Sequence, residues 1–256
     1  MDIHNLYALI GFMLAAYAVI GNDSAQTLGT FIASQSRLVK WYWLWLATAS
    51  LLAATLTYSW VAYNGDISFG RLQRIPPVQI QWYHAAAPLA LLALTRVGIP
   101  VSTTFLVLST FASTVLLQDM LLKSFIGYGI AVVCAYVIWL VLSRFINEKF
   151  NTVKKEHRTH WRIAQWVSTG LLWFTWLAHD MANIAVFLPR QLPLWMLIGA
   201  IATLCGWLAY IFKTQGGKIQ RIIVEKTGSR FIRSATIIDI VYASILFIFK
   251  EMHNVP

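Results

Sequence analysis

From Trp41 to Tyr63 the chain carries no charged side chain, and the same holds from Gly98 to Gln118, Ser124 to Ser143 and Gln191 to Phe212. A helix that crosses a bilayer needs about 20 mostly apolar residues. So many runs of that length cannot all be hidden in one soluble core. Ile75–Thr95 and Ile163–Pro189 extend the pattern with isolated polar residues, Leu6 begins another run, and Ser234–Phe249 forms a shorter one. The expected fold is all-α, a polytopic membrane protein with about eight membrane segments. Charged residues are 12% of the chain, roughly half the usual share, and mean hydropathy is +0.63. Met1-Asp2-Ile3-His4 lacks the basic start of a signal peptide, so the first run is expected to stay as a membrane segment.

One acid breaks the first run. The uncharged stretch Leu6–Asn22 leads into Asp23, and Ser24–Ser36 follows without charge. A carboxylate at the bilayer centre costs roughly 2.5–3.5 kcal/mol unless it is paired or hydrated. Its neighbours Gly21, Ser24, Thr27, Gly29 and Thr30 are small or polar, which suits a broken helix. Irregular backbone at membrane depth survives where it lines a cavity or is buried in protein. An acid beside a broken helix is the pattern of an ion or substrate site in a transporter. His179-Asp180 and Asn183 interrupt the later run in the same way.

Lys and Arg outnumber Asp and Glu by 20 to 10. The excess lies mostly in the central stretch Arg144–Arg162 and the loop Lys213–Arg233. Cytoplasmic loops of membrane proteins carry such charge, so nucleic acid is excluded as a partner. With those loops inside, the N-terminus falls outside, in a multi-pass protein of the plasma or inner membrane. Cys134 and Cys205 both lie in apolar runs and read as free, buried thiols. Trp41, Trp43 and Trp45 read as interface anchors, like most of the tryptophans.

The chain divides at its basic centre: residues 1–143 a first transmembrane repeat, 144–162 a basic cytoplasmic linker, 163–256 a second repeat. Asn22-Asp23-x-Ala25-Gln26 matches His179-Asp180-x-Ala182-Asn183. Gly98-Ile99-Pro100 matches Asn254-Val255-Pro256, and Leu72-Gln73-Arg74-Ile75 matches Ile219-Gln220-Arg221-Ile222. An odd number of crossings per half makes this an inverted-topology repeat, with substrate and ions at the midplane between the halves. The second half stops where its Ser-Thr-Thr element is due, so a chain incomplete at its C-terminus is expected.

At these residues the sequence resembles the PiT family of inorganic phosphate transporters. That family places Gly-x-Asn-Asp-x-x-Asn-Ala near the start of each half, and later Pro-x-Ser-Thr-Thr or Pro-x-Ser-Ser-Thr. Gly21-Asn22-Asp23 and Ala178-His179-Asp180-x-x-Asn183 look like the first pattern; Gly98-Ile99-Pro100-Val101-Ser102-Thr103-Thr104 looks like the second. Gln26 and His179 stand where the family has Asn, and Phe105 where it usually has His. The resemblance implies a phosphate symporter driven by Na⁺ or H⁺ and no other cofactor. Cations would be held by Asp23, Asp180, Asn22, Asn183 and Gln26, with Asp23 and Asp180 as the carboxylate ligands of a metal ion such as Na⁺. Phosphate would meet Ser102, Thr103, Thr104, Asn22, Asn183 and Thr27. The departures leave sulfate or another oxyanion as an alternative, and a non-transporting or truncated membrane subunit as a second. Partners are inorganic phosphate, Na⁺ or H⁺ and the lipid bilayer, with a homodimer left open.

Other polar residues weigh less. Thr30 shares the case for Thr27. His179 is either a proton-sensitive neighbour of Asp180 or a buried structural histidine. Asp239 either joins a site or pairs with Arg233. His84 reads as packing, and His157-x-x-His160 as part of a solvated loop. Asp119 and Lys123 are spaced to pair. No nucleophile–base pair, phosphate loop or redox motif is present, so an enzyme is not expected.

Overall fold

The computed structural model describes residues 2–36, 38–97, 99, 101–145, 158–214 and 232–253. The described residues form helices and no strand: α1 Ile3–Thr27, α2 Gly29–Gln35, α3 Trp41–Ala62, α4 Ala86–Val97, α5 Thr103–Leu108, α6 Thr114–Phe145, α7 Arg158–Asp180, α8 Ala182–Ala185, α9 Leu194–Lys213 and α10 Ile232–His253. Among the described residues, four helices are long and apolar enough to cross a membrane, namely Ile3–Thr27, Trp41–Ala62, Thr114–Cys134 and Leu194–Lys213. Large apolar side chains such as Trp43, Val61, Phe125, Val132, Ile198 and Tyr242 stay exposed on the helices. That surface suits lipid, and the protein is an α-helical membrane protein.

Two expected spans are not continuous helices. Pro76 and Pro77 hold the chain extended up to a 3-10 turn at Trp82–Ala85, because proline offers no backbone donor. The helix that follows, α4, has 12 residues and is too short for a hydrocarbon core of about 30 Å. Beyond it, α5 has 6 residues, and the break after it at 109–113 separates it from α6. Only Thr114–Gln118 of the span expected before Asp119 continues into α6, a helix of 32 residues that takes in the span expected after it. The break expected within Gly21–Ser34 falls at Leu28, and α1 is helical through Thr27. The Asp119–Lys123 pairing, most of the two basic loops, His157, and the matches at Gly98–Pro100, Ile219–Ile222 and Asn254–Pro256 lie wholly or partly outside the described residues.

The two parts of the chain repeat an order of elements. A long helix breaks, a short helix follows, then a second long helix: α1, α2, α3 and again α7, α8, α9. The packing partners match as well. α1 packs on α9 and α7 on α3, α3 and α9 pack on each other, α1 packs on α4 and α7 on α10. Ile20, Leu28, Phe31, Leu52, Leu56, Trp173, Leu177, Met181, Leu204 and Leu208 are among the buried side chains of this core.

Trp45, expected at the lipid interface, instead joins neighbouring elements, as do Trp60 and Trp173. Trp45 Nε1 donates to the Cys205 carbonyl at 2.9 Å, Trp60 Nε1 to Leu192 at 2.7 Å and Trp173 Nε1 to Thr48 at 3.2 Å. A buried indole needs an acceptor, and carbonyls of neighbouring elements supply it. His84 is a packing residue. It is buried, its Nδ1 accepts from the Gln81 N–H at 2.9 Å, and its ring stacks on Phe111 at 4.5 Å.

At Gly11, α1 lies against the segment after α8. A Cβ there would stand 2.4 Å from Phe187 Cδ1, and that ring is itself buried, edge-on to Phe111 at 5.3 Å. Gly11→Val is expected to destabilise the protein by about 1–3 kcal/mol through overpacking. The check is the thermal unfolding midpoint of detergent-solubilised protein; an unchanged midpoint would contradict the contact.

Candidate functional site

Three segments converge at the broken ends of α1 and α7. The last turns of α1 supply Asn22, Asp23 and Ser24. The residues before and within α5 supply Val101, Thr103 and Thr104. The end of α7 and the turn into α8 supply Trp176, His179, Asp180 and Asn183. Asn22, Asp23, Thr103, Asp180 and Asn183 are all buried.

Asp180 Oδ1 is the hub. It accepts from Thr104 Oγ1 at 2.9 Å and Asn183 Nδ2 at 3.4 Å, and lies 3.0 Å from His179 Nδ1. Asn183 Nδ2 also reaches Thr103 Oγ1 and Thr104 Oγ1, each at 3.2 Å. Asp23 comes close enough for its carboxyl to interact directly with that of Asp180. Asn22 Nδ2 donates to Asp23 Oδ1 at 3.1 Å and leans toward the Val101 carbonyl at 3.5 Å. Two acids distant in sequence thus share one interior cluster with hydroxyls and amides.

Several polar atoms there have no protein partner. Ser24 Oγ and Asn183 Oδ1 are buried without a hydrogen bond, and so is Trp176 Nε1, whose indole approaches Asp23 outside bonding geometry. Buried polar groups are normally satisfied, so each such atom calls for an explanation.

A cation not singled out in the sequence completes the cluster. Arg71 opens the 3-10 turn Arg71–Arg74, and its Nη2 lies 3.3 Å from His179 Nε2. A guanidinium can only donate. Nε2 of His179 is therefore the acceptor, and the ring proton sits on Nδ1, facing Asp180. Burial pushes the Arg71 guanidinium below its ordinary pKa, while the charge of Asp180 opposes that shift. The only hint in the sequence was an arginine between apolar runs, outside the two basic loops.

Local structure makes this placement rigid. Asp66 accepts from Ser68 N at 2.6 Å, Ser68 Oγ at 2.8 Å and Gly70 N at 3.1 Å. Gly70 has φ 74°, a left-handed conformation that glycine adopts without strain, and it leads directly into Arg71. The loop is tied to the segment before α9: Leu192 N donates to the Gly65 carbonyl at 2.9 Å and Arg190 Nη2 to the Ile75 carbonyl at 3.1 Å.

Not every expected residue joins the cluster. Ser102 is exposed and caps α5, accepting from Phe105 N at 3.3 Å. Gln26 lies on the exposed side of α1. Thr27 is buried but donates to the Asp23 backbone carbonyl at 2.7 Å. Thr30 lies apart, donating to Asp239 Oδ1 at 3.0 Å. Among the described residues, no group of three or more His, Cys, Asp or Glu is arranged to hold a metal ion. The cluster's oxygens come from carboxylates, hydroxyls and an amide.

The fold and this cluster define an α-helical membrane protein with a buried acidic site between its two parts. Comparison with protein-family models, with curated proteins and with solved structures finds no match to the chain.

The tautomer is testable. ¹⁵N-histidine NMR of the purified protein should show His179 neutral with its proton on Nδ1, and Arg71→Ala should remove the Nε2 acceptor signature. A proton on Nε2 in the unsubstituted protein would contradict the Arg71 contact.

Proposed function

We propose that this chain is a secondary active transporter that imports inorganic phosphate by symport with Na⁺, or with H⁺. The observation that carries the reading is the meeting of Asp23 and Asp180, each at the broken end of a long helix in matching parts of the chain. Like charges so close repel, and a cation or proton shared between them offsets that repulsion. An intramembrane acid is by default a functional group. The resemblance to the PiT family supports phosphate as the substrate.

The reading assigns roles as follows. Asp23 and Asp180 hold the coupling cation, with Asn22 and Asn183 as neutral partners. Thr103 and Thr104 meet the phosphate oxygens, and Arg71 supplies a positive charge beside the acids. Cation and anion bind together because each reduces the cost of desolvating the other. The orphan atoms of Ser24, Trp176 and Asn183 support a ligand in the cluster. The crossed pairing of α1 with α9 and α7 with α3 supports two inverted repeats, with alternating access by rocking one against the other. About eight segments, an outside N-terminus and a place in the plasma or inner membrane complete the reading.

The experiment is uptake of radiolabelled phosphate into proteoliposomes, with and without an inward Na⁺ gradient, with sulfate as competitor. Asp23→Asn and Asp180→Asn should each abolish uptake while inserting normally. Robust uptake by both would refute the assignment, and preferential block by sulfate would reassign the substrate. Thr104→Val removes one hydroxyl bond to a charged partner. It should weaken apparent phosphate affinity about 10- to 100-fold, measured as the concentration giving half-maximal uptake.

A further inference from the structure

A third buried acid lies outside the cluster. Asp239 on α10 is 1% exposed. Its Oδ1 accepts from Thr30 Oγ1 of α2 at 3.0 Å, and its Oδ2 from Thr169 Oγ1 of α7 at 2.5 Å. Thr27, Thr55 and Thr175 bond back to their own helices, at Asp23, Leu51 and Leu171. Thr30 and Thr169 instead turn across the interface to the carboxyl. Three elements therefore converge on one acid.

The seam continues along α7. Gln165 lies one turn before Thr169. Its Oε1 accepts from Gln35 Nε2 at 2.6 Å, and its Nε2 donates to Ser34 Oγ at 2.6 Å. Gln35 Oε1 is buried and has no partner. Arg162 follows at the edge of a surface cavity of about 310 Å³ lined also by Thr159, Ile163, Trp166 and Val167.

The charged neighbours decide what Asp239 can hold. From α2 no titratable side chain faces it. Along α7 the nearest such groups are Arg162, about two turns from Thr169, and Asp180, about three turns the other way, with His160 and His179 beyond or beside them. On α10, Tyr242 is exposed. Arg233 is not at the i+3 or i+4 spacing that brings helix side chains together, and its side chain, like those of Arg158, Lys250, Glu251 and His253, is outside the described residues. Among the described residues, the pair at salt-bridge distance is His179 with Asp180, and no cation reaches Asp239. A carboxylate left so in the interior neutralises by taking a proton.

We propose that Asp239 is a proton-binding site, housed between α2, α7 and α10 and separate from the Asp23–Asp180 cluster. Hydronium from water gives up its proton, one O–H bond forms on a carboxylate oxygen, and the charged side chain becomes a neutral acid. With the proton bound, the acid O–H donates to one threonine oxygen; with it released, both hydroxyls donate to the carboxylate. Proton binding stands whatever the chain carries; its use as a coupling ion rests on the transport reading above.

The test is infrared difference spectroscopy on the purified full-length protein as pH is stepped, with ²²Na⁺ binding measured in parallel. A carboxylic C=O band should appear as pH falls and be missing in Asp239→Asn. Asp239→Glu should keep a band at shifted frequency, and the Thr30→Val, Thr169→Val double variant should also move it. A band unchanged in Asp239→Asn, or no band at any pH, overturns the proposal. So does ²²Na⁺ binding that Asp239→Asn removes, since that would make the site one for a metal cation. Should Asp239→Asn fail to fold, the Asp239→Glu and threonine variants decide by whether the band moves. A correct band with no phosphate uptake would sink the transport reading alone.

Discussion

Taking a carboxyl group out of water is costly, and this chain does so three times. Asp23, Asp180 and Asp239 are all buried in a body whose outer face is apolar. Single buried ions cost several kcal/mol even after relaxation. The chain offsets that cost locally, by turning hydroxyls and amides inward. Asp180 gathers Thr104, Asn183 and His179 on one oxygen, and Asp239 takes one threonine on each oxygen. At Asp180, Asn183 lies three residues on along the chain, and Thr104 reaches the same oxygen from α5.

The positive charge near the acids is held at one remove. Arg71 reaches Asp180 through His179 rather than directly, so the acid keeps capacity for another partner. That indirect contact depends on the loop from Asn64 to Gly70, where Asn64 and Phe69 adopt left-handed conformations along with two glycines. Non-glycine residues there carry a cost that the surrounding bonds must override. Here Asp66 and the ties to Gly65 and Ile75 do so.

Helix pairing carries the rest. In lipid there is no hydrophobic drive for helices to associate, so packing and interhelical hydrogen bonds hold them together. The indoles of Trp45, Trp60 and Trp173 do this between α3, α7 and the α9 region. Close approach does it between α1 and Phe187, where only glycine fits at position 11.

Helical class and membrane character were legible in the chain itself, because a run such as Trp41–Tyr63 or Gln191–Phe212 has few other places to go. The acids at 23 and 180 were legible too, since charge inside such runs stands out whatever the fold. Hydropathy could not separate a spanning helix from a broken one: Ile75–Thr95 is apolar enough to span, yet its prolines leave only a short α4. Nor could it find Arg71, which is an ordinary loop residue until the turn at Gly70 delivers it to His179. Ser102 and Gln26 fit a motif but point away, because side-chain direction follows from where a helix begins and which face packs. Local composition therefore determined which segments are helical and apolar, whereas the meeting of Asp23 with Asp180, and of Thr30 and Thr169 with Asp239, came only from packing distant segments together. The physical reason is range: hydropathy acts residue by residue along the chain, while a shared polar cluster depends on contacts between elements far apart in it.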